Sequence, residues 1–173
     1  MAQIDQIQVR FVPTEDRILV RIATQDRAEY LFWMTRRYVR LMWPGLTRTL
    51  QQNPRISVQS SPDARRELLA FEHQKAVNAA DFVTPYREAD KTHPLGPAPI
   101  LLVRLQLRPL DAQHAQLSVG PETGPGLDLT LNQGLLHSFA ELLSTAVARA
   151  DWDLGPLTPR AEAAANVANQ TVN

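Results

Sequence analysis

Glu88, Asp90 and His93 crowd one short stretch of the chain, and their chemistry is the first to consider. Two carboxylates beside an imidazole can hold a cation or relay a proton. They lie in segment 84–99, where Pro85, Pro94, Pro97 and Pro99 argue for an extended or looped backbone rather than a helix. One reading is therefore an enzyme whose dispersed site assembles around this loop. The plainer reading is a surface loop kept soluble by its charges.

The other reactive side chains make no recognisable constellation. His73, His93, His114 and His137 fall on four different elements, so no metal site is expected. His73 and His137 read as solvated side chains on helix faces turned away from the core. Ser138 and Ser144 belong to a helix and not to the strained turn that a hydrolase nucleophile needs. Gly120, Gly124 and Gly126 lack the lysine and following helix of a phosphate loop. The chain contains no cysteine, which removes disulfides, thiolate ligands and thiol nucleophiles. No catalytic residue, metal or cofactor is assigned.

Charge is more informative. The formal net charge is zero, which argues against wholesale nucleic-acid binding. That balance is uneven along the chain. Residues 1–60 carry nine arginines against five acids, and no acid occurs from Tyr30 to Pro62. Arg36, Arg37, Arg40 and Arg48 fall in this acid-free stretch. On a helical wheel, Arg37, Arg40 and Arg48 lie opposite Val39, Trp43, Leu46 and Leu50. Surface helices usually mix signs, so an all-arginine face points to an anionic partner. Trp33 stands on the strand face opposite Tyr30 and Phe32 and, if exposed, adds an aromatic contact. Arg36, Arg37, Arg40, Arg48 and Trp33 are thus the candidate binding residues.

These residues need elements to position them. Ile7, Val9 and Phe11 alternate with polar residues, Ile18, Val20 and Ile22 make a second strand, and a third strand follows over 28–34. Short turns join the three into an antiparallel meander. Thr35 caps a helix to about Gln52, which Pro44 should kink near Arg40 and Leu41. Ile56 and Val58 suggest a short strand or bridge. Ser61-Pro62 opens a helix over about 62–82. Alternation returns over Leu101, Val103, Leu105 and Leu107, then at Ala115 to Val119 and at Leu127 to Leu131. A last helix from about Asn132 buries Leu136, Phe139, Leu143 and Val147, and Gly155-Pro156 stops it.

The two halves share one plan. Adding 97 carries Ile18, Val20 and Ile22 onto Ala115, Leu117 and Val119. The same shift carries Thr35 onto Asn132 and Leu46 onto Leu143. The first strand fits a shift of 96. The fold class expected is α+β, with pseudo-duplicated βββα units, each an antiparallel meander packed on a helix, and an additional helix between them. The pseudo-repeats span about 6–52 and 100–152 within one domain, 1–156, followed by a flexible tail, 157–173. A chain of 173 residues is long enough to bury such a core.

No segment has the apolar length of a membrane span, and the opening residues read as neither signal peptide nor anchor, so the cytoplasm is the expected compartment. The leading functional expectation is a non-enzymatic protein-interaction or assembly module. It binds a protein partner or self-associates into an oligomer, the basic half of one molecule meeting the acidic half of another. The alternative is single-stranded nucleic-acid binding through the arginine-rich helix 35–52, with Trp33 or Tyr38 stacking on bases. The second alternative is the enzyme with a dispersed site near loop 84–99.

Overall fold

The fold is that of a computed structural model, which describes residues 3–157. Two sheets carry the core. The first has four strands in the order β1 (Ile4–Val12), β2 (Arg17–Thr24), β3 (Glu29–Met34) and β4 (Ile100–Leu101). The second has three, β5 (Arg104–Pro109), β6 (His114–Gly120) and β7 (Leu127–Asn132). Helix α1 (Arg36–Gln51) follows β3, and α4 (Gln133–Arg149) follows β7. Between the units lie the short α2 (Pro54–Ser57) and the long α3 (Pro62–Ala79). This is an α+β fold of two βββα units with added helices between them.

The repeat extends to the pairing register. In the first unit Ile18 faces Met34, Val20 faces Phe32 and Ile22 faces Tyr30. In the second, Ala115 faces Leu131, Leu117 faces Leu129 and Val119 faces Leu127. Every one of these residues is displaced by 97. Both helices also start alike, because the Thr35 hydroxyl accepts from Tyr38 N–H and the Asn132 side chain accepts from Leu135 N–H. The first strand departs from the sequence expectation. Val9 pairs Val20 while Leu107 pairs Leu117, a shift of 98 and not 96. The second hairpin is one residue shorter than the first. A slip of two residues leaves every side chain on its own face, so the apolar pattern alone could not separate the two registers.

The apolar faces of the two sheets meet around Val20, Ile22, Phe32, Leu117 and Leu129, with Leu102 and Phe139 between them. The helices cross over: α1 packs against β5 and α4 against β1, so each touches the leading strand of the other unit. Tyr38 fixes one crossing by donating its hydroxyl to the Arg104 carbonyl at 3.0 Å. One connected core therefore includes residues of both units.

Several local expectations change. The alternating run from Leu101 to Leu107 is two strands and not one. Ile100 and Leu101 run parallel to β3, Leu102 N–H donates to the Trp33 carbonyl, and Val103 N–H then donates to the Gly120 carbonyl in the other sheet. Crossing between sheets breaks the alternation, so Leu102 is buried and Leu101 and Val103 are exposed. Ile56 and Val58 form no strand. Asn53 caps a single helical turn there, with Ile56 buried beneath it. Helix α1 runs from Arg36 to Gln51 through Pro44 as expected, whereas α3 ends at Ala79, short of the expected 82.

The last helix stops at Arg149, before Gly155. Asp151 takes a left-handed conformation with φ of 54°, and the N–H groups of Asp151 and Trp152 bond to the Ala148 and Val147 carbonyls. Trp152 then packs edge-on against Phe11 and closes the core, and Leu157, the first residue of the expected tail, is buried. The rest of that tail, 158–173, lies outside the described residues.

Candidate functional site

Strand alternation gives the first sheet an outer face that points away from the core. On it stand Gln6, Gln8 and Arg10 of β1, Leu19 and Arg21 of β2, and Glu29, Leu31 and Trp33 of β3. The proline-rich segment crosses half of this face as a strap. The Gln6 side chain donates to the Pro85 carbonyl and accepts from Arg87 N–H, and Arg87 pairs with Asp5. At the far side the strap is sewn to the start of β3, where Glu29 N–H donates to the Thr92 carbonyl and Thr92 N–H to the Arg27 carbonyl.

Beneath the strap, Glu29 is the hub of an ionic network. Its side chain is almost fully buried and accepts from Tyr86 Oη at 2.7 Å, from Arg21 at 2.9 Å and from His93 Nε2 at 2.9 Å. Burial alone would raise the Glu29 carboxyl. The hydrogen bonds from Tyr86 and His93 and the positive Arg21 outweigh it and hold the carboxyl below its usual range. Arg21 also makes a two-pronged pair with Glu88, at 2.7 and 2.6 Å, which raises the guanidinium pKa further. Lys91 Nζ lies 3.7 Å from the centre of the Tyr86 ring and 3.6 Å from Glu29, and burial lowers its pKa.

The structure thus brings Glu88 and His93 into one network, Glu88 on Arg21 and His93 on Glu29. Asp90 stays exposed in a left-handed turn with φ of 58°. The nearest large cleft, about 820 Å³, is lined by β1, α4, the end of α3 and residues 81–87, and not by Glu88, Asp90 or His93. Glu88, Lys91 and His93 of the strap reach Arg21 and Glu29 of the sheet, and Arg87 reaches Asp5, so these contacts fasten the strap to the sheet. Glu29, Arg21, Tyr86 and Lys91 were not singled out from sequence. Glu29 on an outward strand position was the available signal.

The two buried histidines correct the sequence reading outright. His73 and His137, expected to be solvated, are 1% and 2% exposed. Their Nδ1 atoms lie 3.1 Å apart across the α3–α4 contact, and His73 Nε2 meets Glu141 at 3.0 Å. Glu141 stands four residues after His137 on the same helix, a spacing that did carry a signal. Among the described residues no group of three or more His, Asp or Glu side chains is arranged to hold a metal ion.

The arginine face is accessible. Arg36, Arg37, Arg40 and Arg48 are exposed on α1, with Leu41, 63% exposed, among them. Tyr38, Val39, Met42, Trp43, Leu46 and Leu50 are buried on the other side. Among the described residues no carboxylate pairs with any of the four arginines. Arg21, Arg55, Arg66 and Arg87 elsewhere have carboxylate partners, whereas Arg10, Arg17, Arg27, Arg65, Arg104, Arg108 and Arg149 pair with none among the described residues but are scattered over several elements. Trp33 is half-buried on the outer face of β3, beyond the strap. Tyr38 is buried and hydrogen-bonded through its hydroxyl, so its ring offers no stacking surface.

No helix among the described residues is long and apolar enough to cross a membrane. Comparison of the chain with protein-family models, with curated proteins and with solved structures gives no match.

Proposed function

We propose that this protein is a non-enzymatic interaction module that grips an acidic protein partner through the arginine face of α1. The observation that carries this reading is the clustering of Arg36, Arg37, Arg40 and Arg48, exposed on one helix and, among the described residues, paired with no carboxylate. Unpaired guanidinium groups on a helix whose backbone is held by the core can chelate carboxylates, at the cost of ordering their own side chains. Leu41 adds an apolar contact at the centre of the face. The opposite side of the helix is core, which keeps the arginines aimed outward.

Fluorescence anisotropy with a labelled polyglutamate peptide tests this, at low and at high salt. Binding is expected at low salt, weakened about tenfold or more by Arg37→Glu, Arg40→Glu and Arg48→Glu together, with a shallower salt dependence in the variant. Equal binding by wild type and variant overturns the reading. Oligo-dT bound more tightly than polyglutamate would replace the acidic protein by single-stranded nucleic acid as the partner. Light scattering on a sizing column at both salt concentrations reports whether the partner is a second copy of this chain.

A further inference from the structure

We infer that the open edge of β1 is a peptide-docking site, where an extended segment of a protein partner adds to the first sheet as a fifth strand. Main-chain groups of successive strand residues point to alternate edges, so one bond on each side fixes the rest. Thr24 N–H donates to the Ala28 carbonyl, toward β3, and Gln25 N–H donates to the Gln3 carbonyl, toward β1. Counting back along β2, Ala23, Arg21 and Leu19 turn their main chain to β1, where they pair with Gln6, Gln8 and Arg10. Ile7, Val9 and Phe11 are left with N–H and C=O on the outer edge. Among the described residues nothing bonds to those of Ile7 and Val9. Phe11 lies against Trp152, but Ile7 and Val9 line the cleft of about 820 Å³. Idle edges are usually kept short or blocked by proline, charge or a bulge. β4, at the other edge of this sheet, is two residues long. β1 has nine residues, no proline, and an unbroken register from Gln6 to Val12.

The walls of the cleft select the occupant. On the inner side stand Leu135 and Leu142 of α4 with Ala76 of α3, and on the outer side Tyr86 and Arg87 of the strap. A strand added beside Ile7 and Val9 continues the alternation of β1. Every second side chain therefore meets the apolar inner wall, and the others lie beside Gln6, Gln8 and the strap. Charge makes no selection, because Asp5 pairs with Arg87 and Asp81 accepts from the Val83 and Thr84 N–H groups. The main chain supplies the affinity, and an alternating apolar–polar pattern supplies the fit. A second copy's β1 carries the same two walls with it, so the occupant is a segment that arrives extended and bare. Pairing with both Ile7 and Val9 takes about five residues, roughly 17 Å of strand. The site is separate from the arginine face of α1 and does not rest on it.

Amide hydrogen exchange of the full chain, followed by NMR, tests this with an acetylated hexapeptide that alternates valine and threonine. Without peptide, the N–H groups of Ile7 and Val9 are expected to exchange faster than those of Gln8 and Arg10, which face β2. Saturating peptide should slow Ile7 and Val9 about tenfold or more. Two further peptides carry N-methyl groups, one on every valine and the other on every threonine. Only one set faces β1: the valines in an antiparallel pairing, the threonines in a parallel one. One methylated peptide is thus expected to bind about tenfold or more weakly than the other. These peptides need no variant, so a folding defect cannot obscure the result. The parent peptide is neutral and should act equally on the chain carrying Arg37→Glu, Arg40→Glu and Arg48→Glu. Loss of its effect there would overturn the inference and assign the peptide to the arginine face. Equal binding of the two methylated peptides, or no slowing by the parent peptide, also overturns it. So does protection of Ile7 and Val9 in the free chain: constant on dilution, it means that another segment of this chain covers the edge; lost on dilution, that a second copy does.

Discussion

His73 Nδ1 lies 3.1 Å from His137 Nδ1, with both rings buried and Glu141 3.0 Å from the other nitrogen of His73. Two ring nitrogens at that distance share one proton, so one is donor and the other acceptor. His73 and Leu69 are the buried residues of α3, which makes this contact a main attachment of the helix to the body.

Burial, and then the neighbouring His73, push the His137 pKa down from 6.5 to about 4. The unfolded chain binds a proton near 6.5 that the folded chain refuses until about 4. Stability is therefore fully present above 6.5 and falls as pH drops through this window, by on the order of 3 kcal/mol at its lower end. Chemical denaturation at a series of pH values should show this loss. His137→Phe should flatten it, and an unchanged pH slope in that variant would show that His137 is not its source.

Glu29 is the hub that ties the strap to the sheet. Glu29→Gln removes the charge but leaves Arg21 and Lys91 in place, a loss expected to cost about 3 kcal/mol. Strap opening should rise with it. Limited trypsin cleavage after Arg87 or Lys91 is the readout, expected to be faster in the variant than in wild type. Equal cleavage rates would mean that the backbone pairing at Thr92 holds the strap unaided.

Two glycines should respond in opposite directions. A Cβ on Gly126 would sit 2.3 Å from the Val119 carbonyl oxygen and 3.1 Å from Gly120 Cα, both backbone atoms with little freedom to move. Gly126→Ala is expected to cost about 1–3 kcal/mol. Gly45, within α1, has open space where its Cβ would go. Gly45→Ala should therefore stabilise the protein by about 0.5–1 kcal/mol through helix propensity. Thermal unfolding of both variants separates steric from entropic control at these positions.

Trp43 and the arginines share α1 but differ in energetic role. Trp43→Ala is expected to cost about 3–5 kcal/mol by opening a core cavity. Reversing Arg37, Arg40 and Arg48 should change stability by less than about 0.5 kcal/mol each, because exposed sites seldom matter more. Denaturation curves give the comparison. A large loss in the arginine variant would mean that those side chains hold the fold itself.

Much of the framework was legible in local patterns. Period-two alternation marked β1, β2, β3, β6 and β7, and the stripe through Val39, Trp43, Leu46 and Leu50 marked α1. Thr35, Ser61 and Asn132 announced three helix starts. Each signal involves residues a few positions apart, where backbone geometry alone decides which side chains share a face. The outward aim of Arg37, Arg40 and Arg48 follows from the same geometry.

The remainder was decided by contacts between distant segments. Whether the first strands align by 96 or 98 depends on hairpin length, because both registers keep the same apolar face. Leu102 is buried because the chain changes sheets there, a choice made by Trp33 and Gly120 far away in sequence. His73 and His137 look polar and outward on their own helices, and only the packing of α3 on α4 buries them. Glu29 reads as an ordinary strand-end carboxylate until Tyr86 and His93 close over it. A side chain's neighbours along the chain set its direction, but its solvent and its partners are set by which surface arrives to cover it.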